Sequence, residues 1–137
     1  MLRKYKICIK AFHNKMHKIY AKIKIMECIF CKIANKEIGS DIVYEDELLV
    51  AFKDIKPVAP THVLIIPRRH IEGVQALKEE DEALVGKMIL KAKDIANTLN
   101  LKEGYRLVFN VGEYGGQTVF HIHLHIIGGR PMMWPPG

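Results

Sequence analysis

Residues His121-Ile122-His123-Leu124-His125-Ile126-Ile127 alternate imidazole and aliphatic side chains without a break. Successive side chains of an extended strand point to opposite faces. The run therefore predicts a strand over Val119–Ile127, with His121, His123 and His125 on one face and Ile122, Leu124 and Ile126 on the other. The aliphatic face needs a partner, and Asp81–Leu99 supplies one. Leu84, Val85, Met88, Ala92, Ile95, Ala96 and Leu99 recur there as a single helical stripe. Glu79, Glu80, Asp81 and Glu82 suit the positive N-terminal end of such a helix. A sheet packed on a helix is the layering of an α+β domain.

Working outward, Cys28–Lys36 reads as a short helix with Ile29, Ile33 and Phe30 facing inward, broken at Gly39-Ser40. Ile42–Glu45 and Leu48–Lys53 read as a hairpin around an acidic, solvated Glu45-Asp46-Glu47 turn. Two prolines make Asp54–Pro60 a loop, Thr61–Ile66 and Tyr105–Val111 read as further strands, and Pro131–Gly137 as an irregular tail. No internal repeat or linker interrupts them.

The 137 residues, 49% hydrophobic and 26% charged, suit one globular domain and exclude a disordered tail. No apolar run approaches the roughly 20 residues of a membrane helix. Three cysteines exclude a dense disulfide framework and point to a reducing, cytoplasmic setting. The net charge of +6 is local. Residues 1–25 hold eight basic side chains and no acid; without them thirteen bases face fifteen acids. The chain as a whole is thus not read as a nucleic-acid or membrane binder. Ile7, Ile9, Phe12, Met16, Ile19 and Ile23 fall partly at helical spacing. A targeting peptide, a polybasic membrane-surface or RNA contact, and a wrongly placed start ahead of Met26 are the three readings of this extension. The last is favoured, which sets the domain boundaries at 1–25 for the extension and 26–137 for the folded domain.

Two chemistries compete for the histidines. A His-x-His pair can bind catalytic zinc, but no acid stands in or beside the strand to complete such a site. Alternatively, one imidazole attacks an electrophile while its neighbours supply protons. Upstream, Asn110-Val111-Gly112-Glu113-Tyr114-Gly115-Gly116-Gln117-Thr118 is a glycine-bearing turn whose backbone N–H groups could approach an anion. That favours nucleophilic catalysis on a phosphate.

The stretch from Gly116 through His121, His123 and His125 to Gly129-Arg130 resembles the signature of the histidine-triad (HIT) nucleotide-binding proteins. Asp54-Ile55 with Ala59-Pro60-Thr61-His62, and Ile66-Pro67-Arg68-Arg69-His70-Ile71, match its other landmarks, and the closing Trp134-Pro135-Pro136-Gly137 resembles the Hint branch. The resemblance is collinear over residues 27–137. It implies an antiparallel sheet of about five strands with one long and one short helix, dimerising. It implies a hydrolase of purine nucleoside 5′-phosphoramidates of the adenosine (AMP) type, including compounds like aminoacyl-adenylates, acting through a nucleotidyl-histidine. The alternatives are a dinucleoside polyphosphate hydrolase and a nucleotide-binding regulator with little turnover.

Residue by residue, the resemblance makes His123 the nucleophile, His125 a phosphate ligand, His62 a proton relay and Thr118 a donor near the leaving atom. It assigns Asp54 to the ribose hydroxyls, and Phe30, Ile33, Phe52 and Ile55 to the base slot. Asn110, Gly116 and Gln117 fall to the phosphate, and Trp134 to the partner subunit's site. No cofactor is implied for the chemistry, which needs only a neutral imidazole and a proton for the departing nitrogen. Cys28 and Cys31 supply half of a tetrahedral zinc site. Some bacterial-type members resemble this pattern, with His70 and His121 as the remaining ligands of a structural zinc. A redox pair and two plain buried thiols are the other readings of that Cys-x-x-Cys.

Overall fold

A computed structural model of the chain describes residues 13–23 and 27–137. Residues 13–23 are helical (α1), followed by α2 (Ile29–Ala34), β1 (Ile42–Glu45), β2 (Leu49–Lys53), β3 (Thr61–Pro67), α3 (Glu82–Thr98), β4 (Tyr105–Val108) and β5 (Leu124–Gly128). The five strands form one antiparallel sheet in the order β1-β2-β3-β5-β4.

Side-chain alternation divides this sheet into two working faces. From β2, β3 and β5, Leu49, Ala51, Val63, Ile65, Leu124 and Ile126 project to one side, where Met88, Ala92, Ile95 and Ala96 of α3 bury them. This is the helix-on-sheet contact that the two apolar patterns predict. Val50, Phe52, Leu64 and Ile66 project to the other side and meet Phe30, Ile33 and Ala34 of α2. His62 and His125 share that second face. The site therefore lies on the side of the sheet covered by the short helix.

Local chemistry sets the element ends. Asp46 holds the β1–β2 turn by accepting the Leu48 and Leu49 N–H groups, both at 2.7 Å, and the Tyr44 hydroxyl at 2.7 Å. Lys87 of α3 pairs with it at 2.8 Å. The turn is thus a braced corner and not the simply solvated one expected. Burial alone would raise the Asp46 pKa, but Lys87, Tyr44 and the two N–H groups outweigh it and hold the carboxyl well below its ordinary range. A 3-10 turn, Glu79–Asp81, precedes α3 and takes the place of the helix's expected first residue.

Three sequence expectations need correction. Ile29 is 48% exposed, and Phe30, Cys31, Ile33 and Ala34 are the buried residues of α2. β4 ends at Val108, three residues before the expected Val111. β5 begins at Leu124, so His121 and His123 precede the strand. The ladder with β3 stops at the Ile65–Leu124 pair although β3 itself runs on to Pro67, so the approach segment lies outside it. Beyond that point Ile122 N–H donates to Ile71 O at 2.6 Å.

Candidate active site and metal centre

The register of β3 against β5 brings two imidazoles together. Leu64 pairs with His125 and His62 with Ile127. His62 and His125 are thus diagonal neighbours on one face, within reach of long side chains. Their rings meet with His62 Nε2 2.9 Å from His125 Nδ1. His123 stands against His125 with ring centroids 4.9 Å apart, and the edge of Phe30 packs on His123 at 5.1 Å.

Hydrogen-bond polarity fixes how these rings carry their protons. His123 Nδ1 lies 2.7 Å from the His121 carbonyl, which can only accept. Its Nδ1 is therefore protonated and its Nε2 keeps a lone pair. The Val58 backbone N–H, which can only donate, lies 3.3 Å from His62 Nδ1. A neutral His62 then carries its proton on Nε2 and donates it to His125 Nδ1. His125 in turn holds its proton on Nε2. Asn110 Nδ2, 3.5 Å from that Nε2, is a second donor and forms no hydrogen bond with it in this tautomer; it donates to the Gly116 carbonyl at 3.4 Å. The resulting file runs Val58 N–H to His62 to His125, and its free end is an N–H donor beside the His123 ring.

Burial keeps the imidazoles neutral. It lowers the pKa of His123 against the opposing His121 carbonyl. It brings His125 to about 4, aided by His123 and His62, and lowers His62 despite the nearby Asp54 carboxylate. Asp54 Oδ2 is 3.5 Å from His62 Nε2, while Oδ1 accepts the Lys56 N–H at 2.8 Å.

The glycine turn is more self-contained than its composition implied. The Gly116 and Gln117 N–H groups donate to Glu113 O and Gly112 O. Gln117, 3% exposed, gives its amide N–H groups to Glu72 O (2.7 Å) and Val119 O (3.1 Å) and accepts Gly112 N–H. Its side chain braces the loop. Gly116 sits at φ +83°, and a Cβ at Gly115 would lie 2.2 Å from the Val111 carbonyl, so the fold of the turn requires both glycines. Thr118 is exposed and lines a 280 Å³ groove with Glu27, Cys28, Ile29, His70, Val119 and Phe120. Phe30, Ile33 and Phe52 pack together in the cluster beneath α2. Ile55 is 88% exposed on its loop and Trp134 is 83% exposed on the tail. The Val58 N–H and the His121 carbonyl escaped the sequence reading, since backbone groups leave no side-chain signal.

The third histidine turns elsewhere. His121 is fully buried and its Nε2 donates to the Pro67 carbonyl at 2.8 Å. That leaves the Nδ1 lone pair facing Cys28 Sγ and Cys31 Sγ, each at 3.5 Å. His70 Nδ1 lies 3.3 Å from Cys31 Sγ. Cys28 and Cys31 reach one point because they stand one turn apart at the start of α2. All four donor atoms lie within 4.8 Å of one another. A tetrahedral zinc, with bonds of about 2.3 Å to sulfur and about 2.0–2.1 Å to nitrogen, has S···N edges of about 3.5 Å. The cluster fits such an ion in donor type and spacing. As a thiol, Cys31 is pushed up to about 12 by burial and by Cys28. Backbone and side chain of His121 thus serve two centres at once.

Comparison with known proteins gives one answer. A model of the HIT domain matches residues 35–132. An HIT-like protein of Synechocystis is 53% identical over 111 residues, 81% of this chain and 97% of that protein. A HIT family hydrolase from Legionella pneumophila superposes with a TM-score of 0.80 at 51% identity, covering 81% of this chain and all of the other. A histidine triad nucleotide-binding protein from Candida albicans gives 0.68 at 31% identity, covering 80% and 83%.

Proposed function

The chain belongs to the HIT domain family, and on that premise we propose that it hydrolyses purine nucleoside 5′-phosphoramidates through a nucleotidyl group carried on His123. The observation that carries this reading is the His123 ring itself. Its Nδ1–H is held by the His121 carbonyl, so the bare Nε2 is the atom left to attack. The resemblance to a HIT family hydrolase of Legionella and to a histidine triad nucleotide-binding protein of Candida supports the reaction class and the ligand. The closing Trp134-Pro135-Pro136-Gly137 supports the Hint branch on this reading.

In the first step Nε2 forms a bond to the α-phosphorus while the P–N bond to the amine breaks, and the departing nitrogen takes a proton from the His62–His125 relay, which the attacking water restores in the second step. The imidazole becomes cationic as the bond forms, and the His121 carbonyl stabilises that charge at Nδ1. His125 Nε2–H donates to a phosphate oxygen. His62 supports it from behind, and its link to Asp54 is the route for proton replacement. Thr118 stands at the leaving-group side. In the second step water attacks phosphorus, the P–Nε2 bond breaks, and the electron pair returns to the ring. Dividing the displacement spares water from expelling a poor leaving group directly. Asp54 accepts the ribose hydroxyls, with Phe30, Ile33, Phe52 and Ile55 around the base and Asn110, Gly116 and Gln117 shaping the phosphate side. Zinc held by Cys28, Cys31, His70 and His121 would supply stability, since protein ligands would fill all four of its positions. The functional unit is a homodimer, in which the exposed Trp134 reaches the partner's site.

Steady-state kinetics with an adenosine 5′-phosphoramidate and a diadenosine polyphosphate tests the substrate class. Preference for the phosphoramidate is expected. Preference for the polyphosphate, or binding with negligible turnover of both, would overturn it. His123→Ala is expected to abolish turnover, about 10³-fold or more, while nucleotide affinity stays within a few fold. An acid quench should trap an adenylyl group on the wild type only. Label on His121 or His125 would refute the assignment.

A further inference from the structure

Helix α1, residues 13–23, lies before the matched domain region of residues 35–132, and the reaction makes no use of it. All eleven of its residues are exposed. At roughly 100° per residue, Met16, Ile19, Tyr20 and Ile23 fall within an arc of about 100°. Their exposures are 50%, 44%, 69% and 49%. Lys15, Lys18 and Lys22 line one flank of this stripe, and His13 and His17 stand on the other, with rings 5.7 Å apart. No acidic residue occurs anywhere in residues 1–25.

We propose that α1 is an interfacial anchor that docks this enzyme on an anionic lipid surface. Both halves of the helix meet their needs there together. The aliphatic stripe enters the boundary of the acyl chains, Tyr20 sits at the headgroup level, and the lysine stems extend their ammonium groups back to lipid phosphates. An RNA partner would satisfy the lysines but leave four apolar side chains in water. Lysine also lacks the planar fork by which arginine grips phosphate. Self-pairing of the stripes in a second copy would set the lysine rows of two like-charged helices beside each other. No helix among the described residues is long and apolar enough to cross a membrane, so the contact is peripheral and reversible. On this proposal the segment has a physical role, which runs against the expectation that it precedes the true start and that no membrane partner exists.

The test is co-sedimentation of the full chain with vesicles of phosphatidylcholine, with and without phosphatidylglycerol. Binding to the anionic vesicles is expected, several-fold above the neutral ones and weakening as salt rises. The double variant Ile19→Asp/Ile23→Asp should lose it. The triple variant Lys15→Gln/Lys18→Gln/Lys22→Gln should reduce it several-fold, and Met16→Leu/Ile23→Leu, which keeps the stripe, should retain it. Phosphoramidate turnover should be unchanged in all three. Failure to bind anionic vesicles overturns the proposal, as does equal binding to neutral ones. So does retention of RNA, or an Ile19-dependent change of oligomeric mass, without vesicle binding.

Discussion

His62 and His125 owe their acidity to where they stand, and that acidity can be read in solution. Both titrate below the ordinary imidazole value of 6.5 in the folded protein, chiefly because burial disfavours the cation, with His125 at about 4. The unfolded chain therefore binds more protons than the folded one between those limits, and stability rises with pH across them. The contribution is complete above about pH 6.5 and is lost as pH falls toward about 4. The midpoint of thermal unfolding is expected to decline over that window in the wild type and to decline less steeply in His125→Gln. An equal slope in both would mean that other groups carry the effect. The same neutrality serves the proposed reaction. kcat/KM is expected to hold to lower pH than a free imidazole would allow before the acid limb sets in, and a pH–rate profile checks it.

Elements show where sequence patterns were sufficient and where they stopped. The α3 stripe and the aliphatic half of β5 were legible because each states one periodicity, and the two patterns meet in one core. Met88, with no exposed surface, measures that contact. Met88→Ala is expected to cost about 2–5 kcal/mol, seen as a lower urea midpoint at unchanged slope. The extent of β5 was not legible, because alternation marks extended backbone whether or not a ladder partner lies alongside. His121 and His123 keep the alternation outside the strand, and only the path of the chain after β3 separates one ring from the others. The Cys-x-x-Cys gave two donors on one helical face. Its other two ligands came from the family resemblance, since His70 and His121 are 39 and 90 residues from Cys31. The carbonyl partners by which Gln117 braces its loop were not legible, because backbone groups leave no side-chain signal. For α2, Cys31→Ser is expected to lower both bound zinc and the thermal midpoint, with modest change in specific activity of the folded fraction. Complete loss of activity with an intact fold would instead favour metal-assisted hydrolysis.

At the scale of the whole molecule, both core clusters are built from residues after Met26. A chain beginning at Met26 is expected to fold and retain full phosphoramidase turnover, while losing the lipid contact of α1. Circular dichroism and the same kinetic assay check it. The strand order has a further consequence, which concerns the growing polypeptide. β5 comes last in the chain yet lies between β3 and β4. Until residues near 128 emerge, the nascent protein carries two unpaired strand edges with nothing to join them, and every contact of β5 with β3 closes a loop of roughly 60 residues. Closure of the sheet is thus postponed to the end of synthesis, a topology of high contact order and slow folding. Because β5 also brings His125 to His62, the barrel of the gun and its trigger arrive in one event: premature termination anywhere ahead of that strand leaves a fragment with open edges, prone to aggregate and unable to turn over substrate.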